Sequence, residues 1–404
     1  MPGNGVGSPA KVVSRPVLEV FLASLRLGLT SFGGPIAHLG YFHDDFVVRR
    51  KWLGDEAFAD LLALCQFLPG PASSQLIMSV GMVRAGMAGA VAAWLGFTLP
   101  SAAALTAFAF LVSAPSVLGS GWLHGVMVAA VAVVAQAVWT MARRFARDSR
   151  RASIAVAAAM ASLLLPSAFT QVILIACGGL LGWLLLPAPE MPRRDELPVR
   201  VPRGLSIASL ALFFALLAGL PILRSLSSVP WIAVTESFYR TGSLVFGGGH
   251  VVLPLLHNEV VARGWVSDAQ FLSGYGAAQA VPGPLFTFAA YLGALMPVPP
   301  NGIIGALTAL LAIFLPSFLL LVGVLPFWAS LRRRPGVQSG LGGINAVVVG
   351  LLAAALYSPV WTSAVAGAAD FCIALAAFAL LEMWKLRPWM VVALAAAAGA
   401  LVRL

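Results

Sequence analysis

The chain reads as a succession of long apolar runs separated by short polar stretches. Runs at 87–114, 122–142, 205–223, 302–326, 338–358, 361–382 and 388–403 carry few charges. At a rise of about 1.5 Å per residue, roughly 20 such residues cross a hydrocarbon core about 30 Å thick. Ala and Leu dominate, and few stretches alternate apolar with polar at period two. The spans are therefore expected to be helices and not the strands of a barrel. The run 152–187, interrupted by Pro166-Ser167, is expected to form a hairpin of two shorter helices. Three pieces at 35–48, 56–68 and 72–82 are too short to span alone and are separated by GGP, RRKW and PGP. Proline lacks a backbone donor and glycine a side chain. These sequences should break helices and leave backbone groups free at depth, which is tolerated only against protein or a wet cavity.

Composition sharpens this picture. Of 404 residues 60% are apolar and only 10% charged, against about 25% charged in soluble domains, which excludes a soluble globular protein. The formal charge of +10 sits in short loops and forms no continuous stripe, so it marks topology and not a nucleic-acid surface. Cys65, Cys177 and Cys372 lie in apolar runs without CxxC or ligand spacing; buried packing is expected of them, not disulfides or zinc. Met1 to Pro16 lacks the pattern of a removable signal peptide. HExxH, GxSxG, Walker and GxGxxG sequences are missing, so protease, serine hydrolase and ATP-driven pump lack their usual parts. No metal, cofactor or enzymatic activity is expected; a polytopic lipid-modifying enzyme is the alternative from another class.

An internal repeat organises the chain. Arg26, Gly28, Phe32, Gly33, Gly34, His43 and Asp45 match Arg240, Gly242, Phe246, Gly247, Gly248, His257 and Glu259 at an offset of 214. Trp52, Asp55, Phe58, Gln66, Pro69, Gly70 and Pro71 match Trp265, Asp268, Phe271, Gln279, Pro282, Gly283 and Pro284 at 213, and Leu99-Pro100-Ser101 matches Leu315-Pro316-Ser317 at 216. The expected organisation is a first repeat at 1–187, a cytoplasmic linker at 188–204, an inverting transmembrane helix at 205–229 and a second repeat at 230–404. Basic residues swap between equivalent loops. The stretch 143–151 holds five arginines where the second repeat is uncharged near Pro359, while Arg332, Arg333 and Arg334 correspond to the uncharged 115–121. Cytoplasmic loops collect Arg and Lys, so the fold expected is an all-α polytopic membrane protein whose homologous halves form an inverted-topology repeat with broken or re-entrant helices.

Broken helices at matching positions of inverted halves point to a transporter's binding site. In Pro69-Gly70-Pro71 and Pro282-Gly283-Pro284 the second proline suits the first position of a new helix, whose free amides favour an anion. Ser73, Ser74 and Thr287 can add hydroxyl donors, and Gln66 and Gln279 precede the two corners. Gly33-Gly34 and Gly247-Gly248 are read the same way. Arg26 and Arg240 lie within apolar segments at equivalent positions, where arginine is costly and a functional hypothesis by default. His43, Asp45, His257 and Glu259 are expected at solvated short-helix ends, with proton coupling as their functional alternative. Glu19, Glu236 and Asp370 are weaker candidates without repeat partners.

FGGPIAHLGYFHDDFV, RKWLGDEAFADLLALCQFLPGPASSQ and GFTLPS in the first copy, with FGGGHVVLPLLHNEVVARGW, GYGAAQAVPGPLFTF and IFLPSF in the second, resemble the chromate ion transporter family in its long, two-domain form. The resemblance covers nearly the whole chain. It implies a multi-pass carrier of the bacterial inner membrane that expels chromate from the cytoplasm, confers chromate resistance and depends on membrane potential or a proton gradient. Sulfate is its expected look-alike substrate, and a sulfate or other oxyanion carrier the nearest alternative. The partners implied are chromate, sulfate and the lipid bilayer, with no nucleic acid; the oligomeric state is left open, a homodimer included.

Overall fold

Small residues, not large ones, decide how this chain packs. In a membrane protein, close helix approach rests on Gly, Ala and Ser, because lipid tails are as apolar as leucine. The computed structural model describes residues 16–114, 117, 119–165, 168–187, 201–332 and 334–402. The expected linker core 188–200, the hairpin corner Pro166-Ser167, most of the N-terminal segment Met1 to Pro16, and Pro115, Ser116, Leu118 and Arg333 lie outside the described residues.

The described residues are helical and contain no strand. The first half runs α1 (Pro16–Thr30), α2 (Gly34–His43), α3 (Asp55–Phe67), α4 (Ala72–Val112), α5 (Gly121–Phe145), α6 (Ser149–Leu164) and α7 (Ala168–Leu185). After α8 (Arg203–Leu226) the second half runs α9 (Pro230–Leu244), α10 (Val252–Val260), α11 (Asp268–Ala280), α12 (Phe288–Ala294), α13 (Gly302–Val324), α14 (Pro335–Ala355), α15 (Ala368–Glu382) and α16 (Pro388–Val402). Five helices, those beginning at Ala72, Gly121, Arg203, Gly302 and Pro335, are long and apolar enough to cross a membrane. The protein is a multi-pass, all-α membrane protein.

Local chemistry sets the boundaries. Asp148 caps α6 by accepting the Arg151 amide, and Ser267 with Gln270 forms a capping box on α11. Helix α4 is broken at Ala85-Gly86, so the piece after PGP is a short helix joined to a long one. Two sequence expectations change. The runs 361–382 and 388–403 hold helices shorter than the runs themselves: α15 and α16 have 15 described residues apiece, about 22 Å of helix. An extended Gly367 and the Ala366 amide, which donates to Asp370, stop α15 from starting earlier. Cys177 and Cys372 are exposed, and only Cys65 is buried. An apolar run in such a protein presents a face to lipid, so membership in it does not imply burial.

The halves interlock. Within each, the first helix lies on the long one: Gly28 of α1 meets the Gly96 and Phe97 carbonyls of α4, and Gly242 of α9 meets the Ile313 carbonyl of α13. Between them, equivalent helices exchange partners. Helix α5 packs on α15 and α16, with Gly125 against Ala395, and α14 packs on α6 and α7, with Gly343 against Gly178 and Gly182.

Candidate functional site

The four broken segments meet across the two halves. The Gly70 amide donates to the Val245 carbonyl at 2.7 Å, and the Gly283 amide donates to the Ser31 carbonyl at 3.1 Å. Val245 and Ser31 are repeat equivalents, each just past the end of a helix, where a carbonyl has no ladder partner. The same reciprocity holds for side chains. A Cβ at Gly70 would collide with Ser317 Oγ, and one at Gly283 would come within 2.8 Å of Ser101 Oγ. Both glycines have φ above +100°, a region open to glycine at no steric cost. Each corner is thus clamped by the other half, and these two amides are already engaged. The prolines also sit one place earlier than expected. Pro71 is the N-cap of α4, and Pro284 precedes a single tight turn, Leu285–Thr287, ahead of α12. The turns that follow the corners close with Gln75 donating to the Pro71 carbonyl and Thr287 to that of Pro284.

A cavity of about 600 Å³ opens beside this clamp. Of the residues singled out from the sequence, Gly33, Gln66, Gly70, Ser73, Gly247 and Gly248 line it. Gly34, Pro69, Pro71, Gln279, Pro282, Gly283, Pro284 and Thr287 do not, nor does Ser74, which is fully buried on α4. The three described lining residues that can carry a positive charge escaped the sequence reading as site residues: Arg144, Arg151 and His250. The arginines were taken as topology signals. The usable signal was the polar stripe Gln136, Thr140 and Arg144, spaced four apart on the otherwise apolar α5, all three of which line the cavity. For His250 the signal was a break in the repeat, since the equivalent first-half residue is Ile36. Arg144 donates to Gln66 Oε1 at 3.0 Å, and His250 Nδ1 lies 2.9 Å from the Tyr275 hydroxyl. Among the described lining residues there is no Asp or Glu.

The remaining candidates form charge posts away from the cavity lining. Arg26 is half-exposed, 3.7 Å from buried Asp45, which Arg49 and Arg50 also reach at 3.4 and 2.6 Å. Arg240 is mostly buried and contacts Glu236 and Glu259, both at 2.6 Å, while Arg224 joins Glu236 and Arg263 joins Glu259. His43 pairs with Asp55 at 2.6 Å, and His257 with Asp268 at 2.7 Å. Asp45 and Glu259 are therefore not solvated as expected: arginines supply the counter-charge that water would have supplied. Glu19 pairs with Arg84, and Asp370 lies 2.9 Å from His124 across the halves. A further pair between the halves, Asp60 of α3 with Arg332 at 2.5 Å, lies under Trp328 at the cavity wall. Among the described residues no group of three or more His, Cys, Asp or Glu could hold a metal ion.

Fold and site together define a polytopic helical membrane protein with a cation-lined cavity at crossed helix breaks. The chromate transporter family model matches residues 18–183 and again 232–400, and the chain belongs to that family. It is 29% identical to a chromate transport protein of Pseudomonas aeruginosa, covering 87% of this chain and 84% of that one. It is 26% identical to the chromate transport protein of Cupriavidus metallidurans, over 87% and 85% of the two chains. An uncharacterized transporter of Methanocaldococcus jannaschii is 27% identical over 83% of each. No solved structure matches the chain.

Proposed function

We propose that this protein is a secondary transporter that exports chromate from the cytoplasm across the inner membrane and so confers chromate resistance. The observation that carries the reading is the charge of the cavity. It has two guanidiniums and an imidazole, no carboxylate among the described lining residues, and glycines from the breaks of both halves in its wall. A guanidinium offers an oxyanion a planar fork of donors, and Ser73 with Gln66 adds neutral partners. A cavity of about 600 Å³ admits a small tetrahedral anion with part of its hydration shell.

The same reading takes the halves as an inverted repeat that alternates access. The swapped arginine loops, the reciprocal Gly70–Val245 and Gly283–Ser31 bonds and the exchanged packing of α5 and α14 all support it. The cavity lining includes Arg144 and Arg151 from the arginine-rich stretch 143–151, and on this reading it opens to the cytoplasm. In the opposite state the Gly283 corner lines the opening. Each charge crossing 100 mV is worth about 2.3 kcal/mol, so a dianion leaving an inside-negative cell gains about 4.6 kcal/mol without ATP.

Chromate flux in proteoliposomes of the purified protein tests this. Export should accelerate with an inside-negative potential, and Arg144→Gln should raise the KM for chromate about tenfold, the ~1.4 kcal/mol of one charge-assisted hydrogen bond. Wild-type vesicles that pass no oxyanion under any imposed voltage overturn the reading. In a cysteine-free background, cysteines placed at Ser149 and Gln338 should label from the same side; labelling from opposite sides refutes the inversion.

A further inference from the structure

Among the described residues lining the cavity, Arg144 and Arg151 stay cationic and Cys65 is fully buried, whereas His250 carries an imidazole, a group that exists with or without its charge depending on what surrounds it. His250 sits on the tight turn Gly249–Val251, directly after the Gly247-Gly248 break, so it stands where the second half's chain crosses the cavity end. Its Nδ1 is held by the Tyr275 hydroxyl at 2.9 Å, and Tyr275 is itself fully buried on α11. That bond fixes the ring and leaves Nε2 as the nitrogen available to a ligand. Of the elements packed on this turn, α10 carries His257 and Glu259, which are ion-paired with Asp268 and with Arg240 and Arg263; α14 contributes the uncharged Gln338 and Asn345 to the cavity, and the turn Leu285–Thr287 carries no charged residue. The charged groups sharing the cavity are the two guanidiniums, and no described lining residue is an acid. An imidazolium at His250 therefore gains a counter-ion only when an anion enters.

We infer that His250 is the proton-carrying ligand of the cavity. It binds the oxyanion as an imidazolium, taking one proton from water on the side where the dianion enters and returning it to water where the dianion leaves. This rests on the cavity being the oxyanion site. Proton and anion then move together, and each turnover carries one net negative charge in place of two. The potential still drives export, and a pH gradient also acts on the flux. The first half has Ile36 at the equivalent place, and its nearby His38 is buried against the Ser31 carbonyl outside the lining, so among the described lining residues His250 is the histidine that can carry the proton.

The test is the reversal potential of chromate flux in proteoliposomes under imposed voltage and pH gradients. The wild type should reverse as expected for one charge per chromate and shift with the pH gradient. His250→Gln should reverse as for two charges and ignore that gradient. A wild type insensitive to the pH gradient, or a Gln variant that retains wild-type sensitivity, overturns the assignment while leaving oxyanion transport standing. A wild type without chromate flux overturns the transport reading and this inference with it. Should His250→Gln not fold, proton uptake by the purified wild type decides: in mildly alkaline, weakly buffered solution, where free chromate is the dianion, close to one proton should be taken up per anion bound. No uptake on binding refutes the inference.

Discussion

Equivalent corners of the two halves meet different surroundings. Gly70 borders the cavity and Gly283 does not, although each donates its amide to the other half's chain and each abuts the other half's serine. The charge posts differ too. Arg26 is half-exposed beside Asp45 at 3.7 Å, whereas Arg240 is closed in by Glu236 and Glu259 at 2.6 Å. The residue matching Glu236 in the first half is Leu22, exposed on α1. On the alternating-access reading proposed above, a symmetric clamp inside asymmetric surroundings is what one state of a two-state device requires: the clamp is common to both states, and the packing around it decides which side is open.

The largest effects should come from the clamp itself. Leucine at Gly70 or Gly283 must adopt a left-handed φ, costing about 1–2 kcal/mol before any overlap with Ser317 or Ser101 is counted. Both variants should lose chromate flux while inserting normally. Loss only in Gly70→Leu would mean that lining the cavity matters and reciprocity does not. Next comes the bond between the halves at the cavity wall. Asp60→Leu takes the carboxylate from buried Arg332 and should cost about 3 kcal/mol of stability in detergent melting. At the equivalent second-half position Ser273 donates only to the Ala269 carbonyl, and Ser273→Ala should stay within about 1 kcal/mol.

Arg240→Ala should destabilise by about 2–3 kcal/mol, because the buried Glu236 and Glu259 lose the one guanidinium that bridges them and are left facing each other with Arg224 and Arg263 at their far sides, and Arg26→Ala by about 1 kcal/mol or less, as an exposed partner of a carboxylate with two other arginines. Equal losses in melting would erase the asymmetry of the posts. The smallest effect lies in the loop before α6. The Arg151 amide bonded to Asp148 holds this carboxyl below its usual range, so its stabilising contribution is present above the unfolded-state pKa and is lost as pH falls through the folded one. The stability gap between wild type and Asp148→Ala should therefore narrow on acidification; a constant gap between neutral and acidic pH would show that the charge plays no part.

The sequence by itself determined the helical spans, the doubled motif and the corners at PGP and GG. These follow from local facts: apolar run length against bilayer thickness, proline's missing donor and glycine's access to positive φ. It also matched His43 to His257 and Asp55 to Asp268 between the halves, but that each histidine meets its aspartate is seen only in the folded chain. Tertiary structure alone decided which corner opens. Gly70 and Gly283 have the same neighbours in sequence, and only the packing of α3, α5 and α14 leaves space beside one of them. It alone separated the arginines. Arg144 in a basic loop end proved to line the cavity, while Arg26 and Arg240 inside apolar runs proved to be ion-paired away from it. Sequence position reports the depth of a charge along a helix. Its counter-charge comes from residues tens to hundreds of positions away, and only the folded chain brings them together.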